Sequence, residues 1–307
     1  LDALDALLSA TQHDDAWHND VCRYLHVMRY ALAGQSAMIT DQSRRRLPQD
    51  HCVYDDLGDI DASACAPPLD MNTGAAVTPD DPRYAHVVAF RERVGTVLER
   101  AAEVVSHLSA DHVDAVKQVV RALRTYLVPH SAHTDEVQGL SKSVGFFRTI
   151  GRRFAKQRRF PRILWIRRAM LYHVTRQRLQ SVHLAHTARD RTLMMQLERL
   201  CTSHYIPVRR LAQSALESVF GMYRGTRWLC LPTLLEQLAP SASDEQVKGA
   251  LYVLGMKSFL RTCARNPRFT RPVLMAMFRL QSRARPSIQK LVRGVLSELV
   301  ARMSDPC

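Results

Sequence analysis

VRRLAQSAL (residues 208–216), VKGALYVL (247–254) and IQKLVRGVL (288–296) share one pattern. Each segment carries apolar side chains at its first, fourth, fifth and eighth positions, which is the spacing of one face of an α-helix. The segments recur about every 40 residues with a second helical pattern between copies, which is typical of HEAT or armadillo repeats. Helix pairs of this kind bury their apolar faces by stacking on one another. The pattern therefore predicts an all-α fold, a HEAT/armadillo-like α-solenoid of antiparallel helix pairs, whose repeat core contains Val208, Leu211, Ala212, Val247, Ala250, Leu251, Ile288, Leu291 and Val292.

The composition excludes several classes of protein. The chain has 307 residues but only 12 glycines, which argues against nucleotide-binding α/β folds with their Gly-rich turns. No apolar run reaches the ~18 residues of a transmembrane helix, and we expect no membrane partner. The 7 cysteines include no CxxC pair and are odd in number, which fits a reducing compartment. The net charge of +14 favours anionic partners, although a basic solvated surface explains it equally well.

The chain divides into four parts by pattern. We expect an N-terminal helical segment over residues 1–39, a disordered insertion over 40–82, a helical, basic segment over 83–190 and HEAT-like repeats over 191–307. The insertion contains five prolines and an acidic cluster at residues 55–61. Helix is predicted over 16–38 and again over 83–128, where a second helix begins at about Asp111, followed by a polar connector over 130–145.

Turn signals divide the last part further. Pro232 is expected near the start of one helix, where proline is tolerated. Ser243 is predicted to cap the next helix. A later helix is predicted from about Pro272 to Ser282.

One block of sequence is strongly basic. Between Val137 and Arg189 there is no Asp or Glu, and aromatic residues interleave with the basic ones at positions 146, 147, 154, 160, 165 and 172. Such a run creates a concentrated positive field that suits a phosphate-rich ligand or nucleic acid. The pattern nevertheless favours an Arg-rich solvated face with the aromatic side chains in the core. If the block binds an anion, the candidate residues are Lys142, Arg148, Arg152, Arg153, Lys156, Arg158, Arg159, Arg162, Arg167 and Arg168.

The sequence carries no recognisable catalytic site. It contains no GxSxG, P-loop, GxGxxG after a strand or HExxH. His183, His186 and Asp190 have the spacing of one helix face and the chemistry of zinc ligands, but no further Cys or His stands at metal-site spacing, so a polar face is the preferred interpretation. We therefore expect no enzyme activity, no catalytic residues, no metal and no cofactor.

A set of motifs between about Leu193 and Leu299 resembles a known family. They are LERLCTSHYIPVRRLAQ (197–213), LPTLLEQLAP (231–240), QVKGALYVL (246–254) and the RPSI turn (285–288). In their order and spacing they are similar to the large single-chain HEAT-repeat proteasome activators, the yeast bleomycin-sensitivity type and its animal counterpart. The most specific element is Lys-Gly-Ala-Leu-Tyr (248–252).

The resemblance implies that the chain is a piece from the later half of a longer ATP-independent activator. Such an activator forms a dome on the α ring of the proteasome core particle, promotes gate opening and degradation, and has no protease site of its own. The chain ends Ser304-Asp305-Pro306-Cys307, which does not match the family's gate-opening tail. The family also implies an inositol polyphosphate ligand, acidic or acetylated histone partners, a link to DNA repair, and location in nucleus and cytoplasm. Two alternatives are a generic HEAT-repeat scaffold and a basic helical-repeat protein that binds nucleic acid or polyphosphate.

Overall fold

A computed structural model describes residues 1–10, 14–38, 81–106, 112–128, 134–153, 162–181, 186–223, 225–281 and 285–304. These ranges contain helices and no β-strand, so the predicted all-α fold class is confirmed. The helices are α1 Asp2–Leu8, α2 Asp15–Met38, α3 Arg83–Ser106, α4 Val113–Leu127, α5 Thr134–Arg153, α6 Arg162–Ser181, α7 Ala188–Cys201, α8 Ile206–Met222, α9 Thr226–Glu236, α10 Asp244–Leu254, α11 Lys257–Arg265, α12 Pro267–Leu280 and α13 Pro286–Ser304.

Reciprocal side-chain caps fix the starts of α7 and α10. At α10, the Gln246 backbone N–H donates to Ser243 Oγ (3.3 Å), and the Ser243 backbone N–H donates to Gln246 Oε1 (2.9 Å). The cap predicted at Ser243 is therefore confirmed, and it has the reciprocal form of a capping box. Thr187 and Asp190 form the same arrangement at the start of α7.

Three boundary predictions were wrong. The polar connector expected over 130–145 contains the first 12 residues of α5, which begins at Thr134 and buries Leu140. Pro232 lies inside α9 and not near its start, because α9 begins earlier, at Thr226, and buries Cys230 and Leu231 ahead of the proline. Likewise α12 begins at Pro267, which takes the first helical position, where proline loses no hydrogen bond.

Most helices pack on helices that are near them in the chain. Helix α4 contacts α2, α3, α7 and α8, and α13 contacts α10, α11 and α12. One continuous apolar core runs from Leu4 in α1 to Leu299 in α13. Polar contacts also join helices that are distant in the chain. The Tyr223 hydroxyl, at the end of α8, donates to the Leu127 carbonyl in α4 (2.8 Å), and Arg189 in α7 pairs with Glu99 in α3 (3.0 Å).

The residues expected in the repeat core lie in α8, α10 and α13. Leu211 and Leu291 are half-buried and pack at the edge of the core. The fully buried members of the set are Val208, Ala212, Val247, Ala250, Leu251, Ile288 and Val292.

The predicted disordered insertion (40–82) lies outside the described residues except for its last two positions. Of these, Asp81 accepts hydrogen bonds from the Arg83 backbone N–H and side chain at the start of α3. Helices of the other three predicted parts share the apolar core: α1 and α2 pack on α3 and α4, which in turn contact α7 and α8. None of the described helices has the length and apolar character needed to span a bilayer.

Candidate functional site

Helices α5 and α6 form a hairpin that stands apart from the main core. They pack chiefly on each other, and their buried apolar residues, Leu140 and Leu164, do not join the continuous apolar core. We call this element the α5–α6 hairpin. Because it buries little surface, most of its described side chains face solvent.

The described basic candidates lie on this hairpin. Lys142, Arg148, Arg152 and Arg153 are exposed on α5, Arg162 and Arg168 are exposed on α6, and Arg167 is half-buried. Within the part of the chain that the structure describes, none of these side chains is paired with a carboxylate. Lys156, Arg158 and Arg159 fall between the two helices, outside the described residues. Cations that are not neutralised by neighbouring carboxylates produce a net positive field around the hairpin.

The described aromatic residues of this block do not lie in the core, so the favoured sequence interpretation was wrong in placing these side chains there, although the described arginines are solvated as it expected. Phe146, Trp165 and Tyr172 are 61%, 57% and 58% exposed, respectively, and Phe147 is half-buried. The other two, at positions 154 and 160, lie outside the described residues. The reason is that, among the described helices, α6 packs chiefly on α5, which leaves rings on its other sides uncovered.

A signal for this exposure was present in the sequence. Apolar residues occupy four consecutive positions of α6, from Ile163 to Ile166, and again four positions from Ala169 to Tyr172. They surround the helix instead of forming one stripe, so a single helix–helix contact has to leave several of them exposed. Of these, Leu164 is the one buried against α5, whereas Ile163, Ile166 and Met170 are exposed.

A cation–aromatic contact adds to the exposed face of α6. The Arg168 guanidinium lies over the Trp165 ring at 5.5 Å from its centroid. This geometry attracts the cation to the ring quadrupole. It places positive charge directly beside an exposed aromatic surface.

The His183, His186 and Asp190 set does not form one helix face. His186 precedes α7, and Asp190 accepts the Thr187 backbone N–H (2.9 Å) within the capping box. Burial lowers the pKa of His186, and the nearby Arg191 charge lowers it further. His183 lies beyond the described ranges. Among the described residues, no group of three or more His, Cys, Asp or Glu side chains is arranged to hold a metal ion.

Two of the motifs that carry the family resemblance, residues 197–213 and 246–254, meet at a junction of α7, α8 and α10. The Gln213 side-chain amide in α8 donates to the carbonyl of Cys201 (3.1 Å) and to the carbonyl of Gly249 (3.4 Å). Arg209 donates to Glu245 (2.9 Å) and so joins α8 to α10 a second time. Hydrogen bonds from Lys248 and Arg209 lower the pKa of Glu245 to about 2. The shared sequence pattern therefore corresponds to a specific helix-packing arrangement.

Comparison with known proteins confirms the resemblance to the proteasome activators. The chain is 26% identical over 250 residues to proteasome activator complex subunit 4B of Danio rerio, covering 74% of this chain. It is 28% identical over 169 residues to subunit 4 of Xenopus laevis and 27% identical over 168 residues to subunit 4 of Homo sapiens, covering 54% and 53% of this chain. The matches cover 13%, 9% and 9% of those relatives, so the chain spans a small part of their length. No family model matches the chain.

Proposed function

We propose that this chain is a segment of an ATP-independent proteasome activator that caps the core particle, promotes gate opening and increases the degradation of peptides and proteins. The observation that supports the proposal most strongly is the similarity to subunits named as proteasome activators, which extends over 250 residues in one relative. The role is regulatory and not catalytic, because the chain's recognisable sequence patterns are those of helix packing.

The helices belong to a HEAT-like α-solenoid of stacked antiparallel pairs in this proposal. Contacts between helices near each other in the chain and the repeated apolar pattern of α8, α10 and α13 support it.

The outer face of α12 and α13 adds a further argument for the solenoid. Four apolar side chains are each about half exposed there: Met275, Phe278, Val300 and Met303. Three of them, Met275, Phe278 and Met303, line an apolar groove together with Leu274. A stacking helix pair would cover such a face.

The partners follow from the activator proposal. The full-length protein would bind the α ring of the core particle and act on acidic or acetylated histones in the nucleus and cytoplasm. The exposed cations of the α5–α6 hairpin supply the chemistry for an inositol polyphosphate ligand, since clustered Arg and Lys side chains pair with phosphate oxygens.

The test of the activator proposal is association between the full-length protein and purified proteasome core particle. Both are mixed without ATP and separated on a native gel, and the core-particle band is identified by immunoblotting. We expect a band of lower mobility that contains both proteins. A well-folded full-length protein that leaves the band in place would contradict the proposal and would favour a generic HEAT-repeat scaffold.

A further inference from the structure

Two exposed rings lie along one side of α6. Trp165 and Tyr172 are seven residues apart, which is close to two turns of an α-helix, so both project from the same side. At 1.5 Å per residue they stand about 10 Å apart along the axis. This span corresponds to about three nucleotide steps at the 3.4 Å spacing of a stacked strand. Both rings are more than half exposed.

Arginine side chains lie on the same helix as the rings and at the end of α5. Arg168 lies between them in sequence and over the Trp165 ring. Arg162 is exposed at the start of α6, and Arg152 and Arg153 are exposed at the end of α5. These last three have no carboxylate partner among the described residues, so their charges are available to an anionic ligand.

We propose that the α5–α6 hairpin binds single-stranded nucleic acid, with bases stacked on Trp165 and Tyr172 and phosphates paired with the surrounding arginines. Proteins that bind single strands without sequence preference combine a positively charged track with exposed aromatic side chains. A duplex keeps its bases stacked inside and offers no base face to these rings. This proposal goes beyond the activator function and does not depend on it.

The arrangement of α6 distinguishes this ligand from two others. A free polyphosphate needs the cations alone and gains nothing from the rings. An anionic lipid surface or an apolar protein partner would use Ile163, Ile166 and Met170, which are exposed on a different side of α6 from the rings. The Arg168–Trp165 contact places a phosphate-binding group beside a base-stacking group, which is the combination that a nucleotide requires.

The experiment measures binding of a fluorescein-labelled oligothymidylate of about 20 nucleotides to the whole chain by fluorescence anisotropy over a range of salt concentrations. The ring variant Trp165→Leu/Tyr172→Leu keeps apolar bulk and removes the stacking surfaces. We expect it to bind at least about tenfold more weakly, since stacking contributes about 1–3 kcal/mol per base. The matched control Ile166→Ala/Met170→Ala should bind like the unchanged chain.

Two further measurements define the phosphate contribution. Arg152→Glu/Arg153→Glu should weaken binding and reduce the slope of log affinity against log salt by about 0.7 for each phosphate that the variant no longer neutralises. A duplex of the same length should bind more weakly than the single strand. Direct binding of inositol hexakisphosphate should be unaffected by the ring variant. Circular dichroism confirms that each variant remains helical.

Several results would overturn the proposal. One is the absence of oligothymidylate binding at low salt. Another is equal affinity of the ring variant and the unchanged chain, which would leave a simple anion site. A third is binding to phosphatidylserine vesicles that depends on Ile166 and Met170 without any binding to oligothymidylate, which would assign the face to lipid.

Discussion

Gly249 in α10 lies against the backbone of Thr202, so that a Cβ atom built on Gly249 would stand 2.8 Å from the Thr202 Cα. The added Cβ atom would also lie 3.1 Å from the Cys201 carbonyl oxygen. Because both neighbours are backbone atoms, they cannot move aside by a change of rotamer. We predict that Gly249→Ala lowers the free energy of unfolding by about 1–3 kcal/mol, measured by urea denaturation of the chain.

Gly294 provides the matched control for this substitution. It lies within α13, and a Cβ built on it meets nothing within 4 Å. Gly294→Ala should therefore stabilise the chain by about 0.5–1 kcal/mol, because alanine loses less conformational entropy in a helix. If both substitutions change stability in the same direction, the close approach of α10 to the end of α7 is not as described.

The buried hydroxyl of Tyr223 joins two distant parts of the chain. It donates to the Leu127 carbonyl at the end of α4, and the Tyr223 side chain is fully buried. Tyr223→Phe keeps the ring but removes this donor, so we predict a loss of about 1–2 kcal/mol in urea denaturation. Tyr252→Phe removes a hydroxyl from a ring that is 49% exposed and should leave stability unchanged. Equal effects of the two would show that the buried hydrogen bond contributes nothing.

Glu198 makes stability depend on pH. Burial raises the pKa of this carboxyl from 4.5 to about 7, and the Arg199 charge opposes the shift only in part. Between these two pH values the folded chain keeps a proton that the unfolded chain has lost. The charge-dependent cost of burying Glu198 is therefore absent below pH 4.5 and rises to a plateau above pH 7.

The substitution Glu198→Gln tests this dependence. The variant should match the unchanged chain near pH 4 and exceed its stability by up to about 3 kcal/mol at pH 8, as measured by urea denaturation at each pH. Glu103→Gln changes an exposed carboxyl in α3 and is the control, with no such trend. A stability difference that is the same at pH 4 and pH 8 would contradict the shifted pKa of Glu198.

The sequence predicted the all-α class and the buried faces of several helices because those faces follow a 3.6-residue period. Val21 and Leu25 in α2, and Val119 and Leu123 in α4, are buried at the positions that this period indicates. The cap at Ser243 was also predictable, since a capping box is a local signal. Where the 3.6-residue period of apolar residues determines which side chains are buried, the sequence alone is enough to predict the buried face.

The period failed for α6 because burial there depends on which neighbour is present. The sequence pattern placed Trp165 and Tyr172 in a core, but among the described helices α6 packs chiefly on α5. Likewise, Pro232 predicts a helix start, but α9 begins six residues earlier and buries the apolar residues that precede the proline. The contact between Gly249 and Thr202 was not predictable either, since it joins residues 47 positions apart through tertiary packing.

Charge reversal on the hairpin tests the polyphosphate ligand. We predict that Arg152→Glu/Arg153→Glu weakens inositol hexakisphosphate binding at least about tenfold in isothermal titration calorimetry, because phosphate affinity here rests on charge pairing. Arg261→Glu/Arg271→Glu makes the same change in net charge on exposed positions of α11 and α12 and is the matched control. Equal weakening by the two variants would mean that net charge, and not the hairpin, determines binding.

The central claim is that this chain is part of an ATP-independent proteasome activator. The most direct measurement is the rate at which purified core particle hydrolyses a fluorogenic peptide as full-length protein is added, with ATP removed by apyrase. We predict that the rate rises severalfold and saturates as the core particle becomes occupied. A rate that stays at the basal value, although the full-length protein is folded and in excess, would contradict the claim.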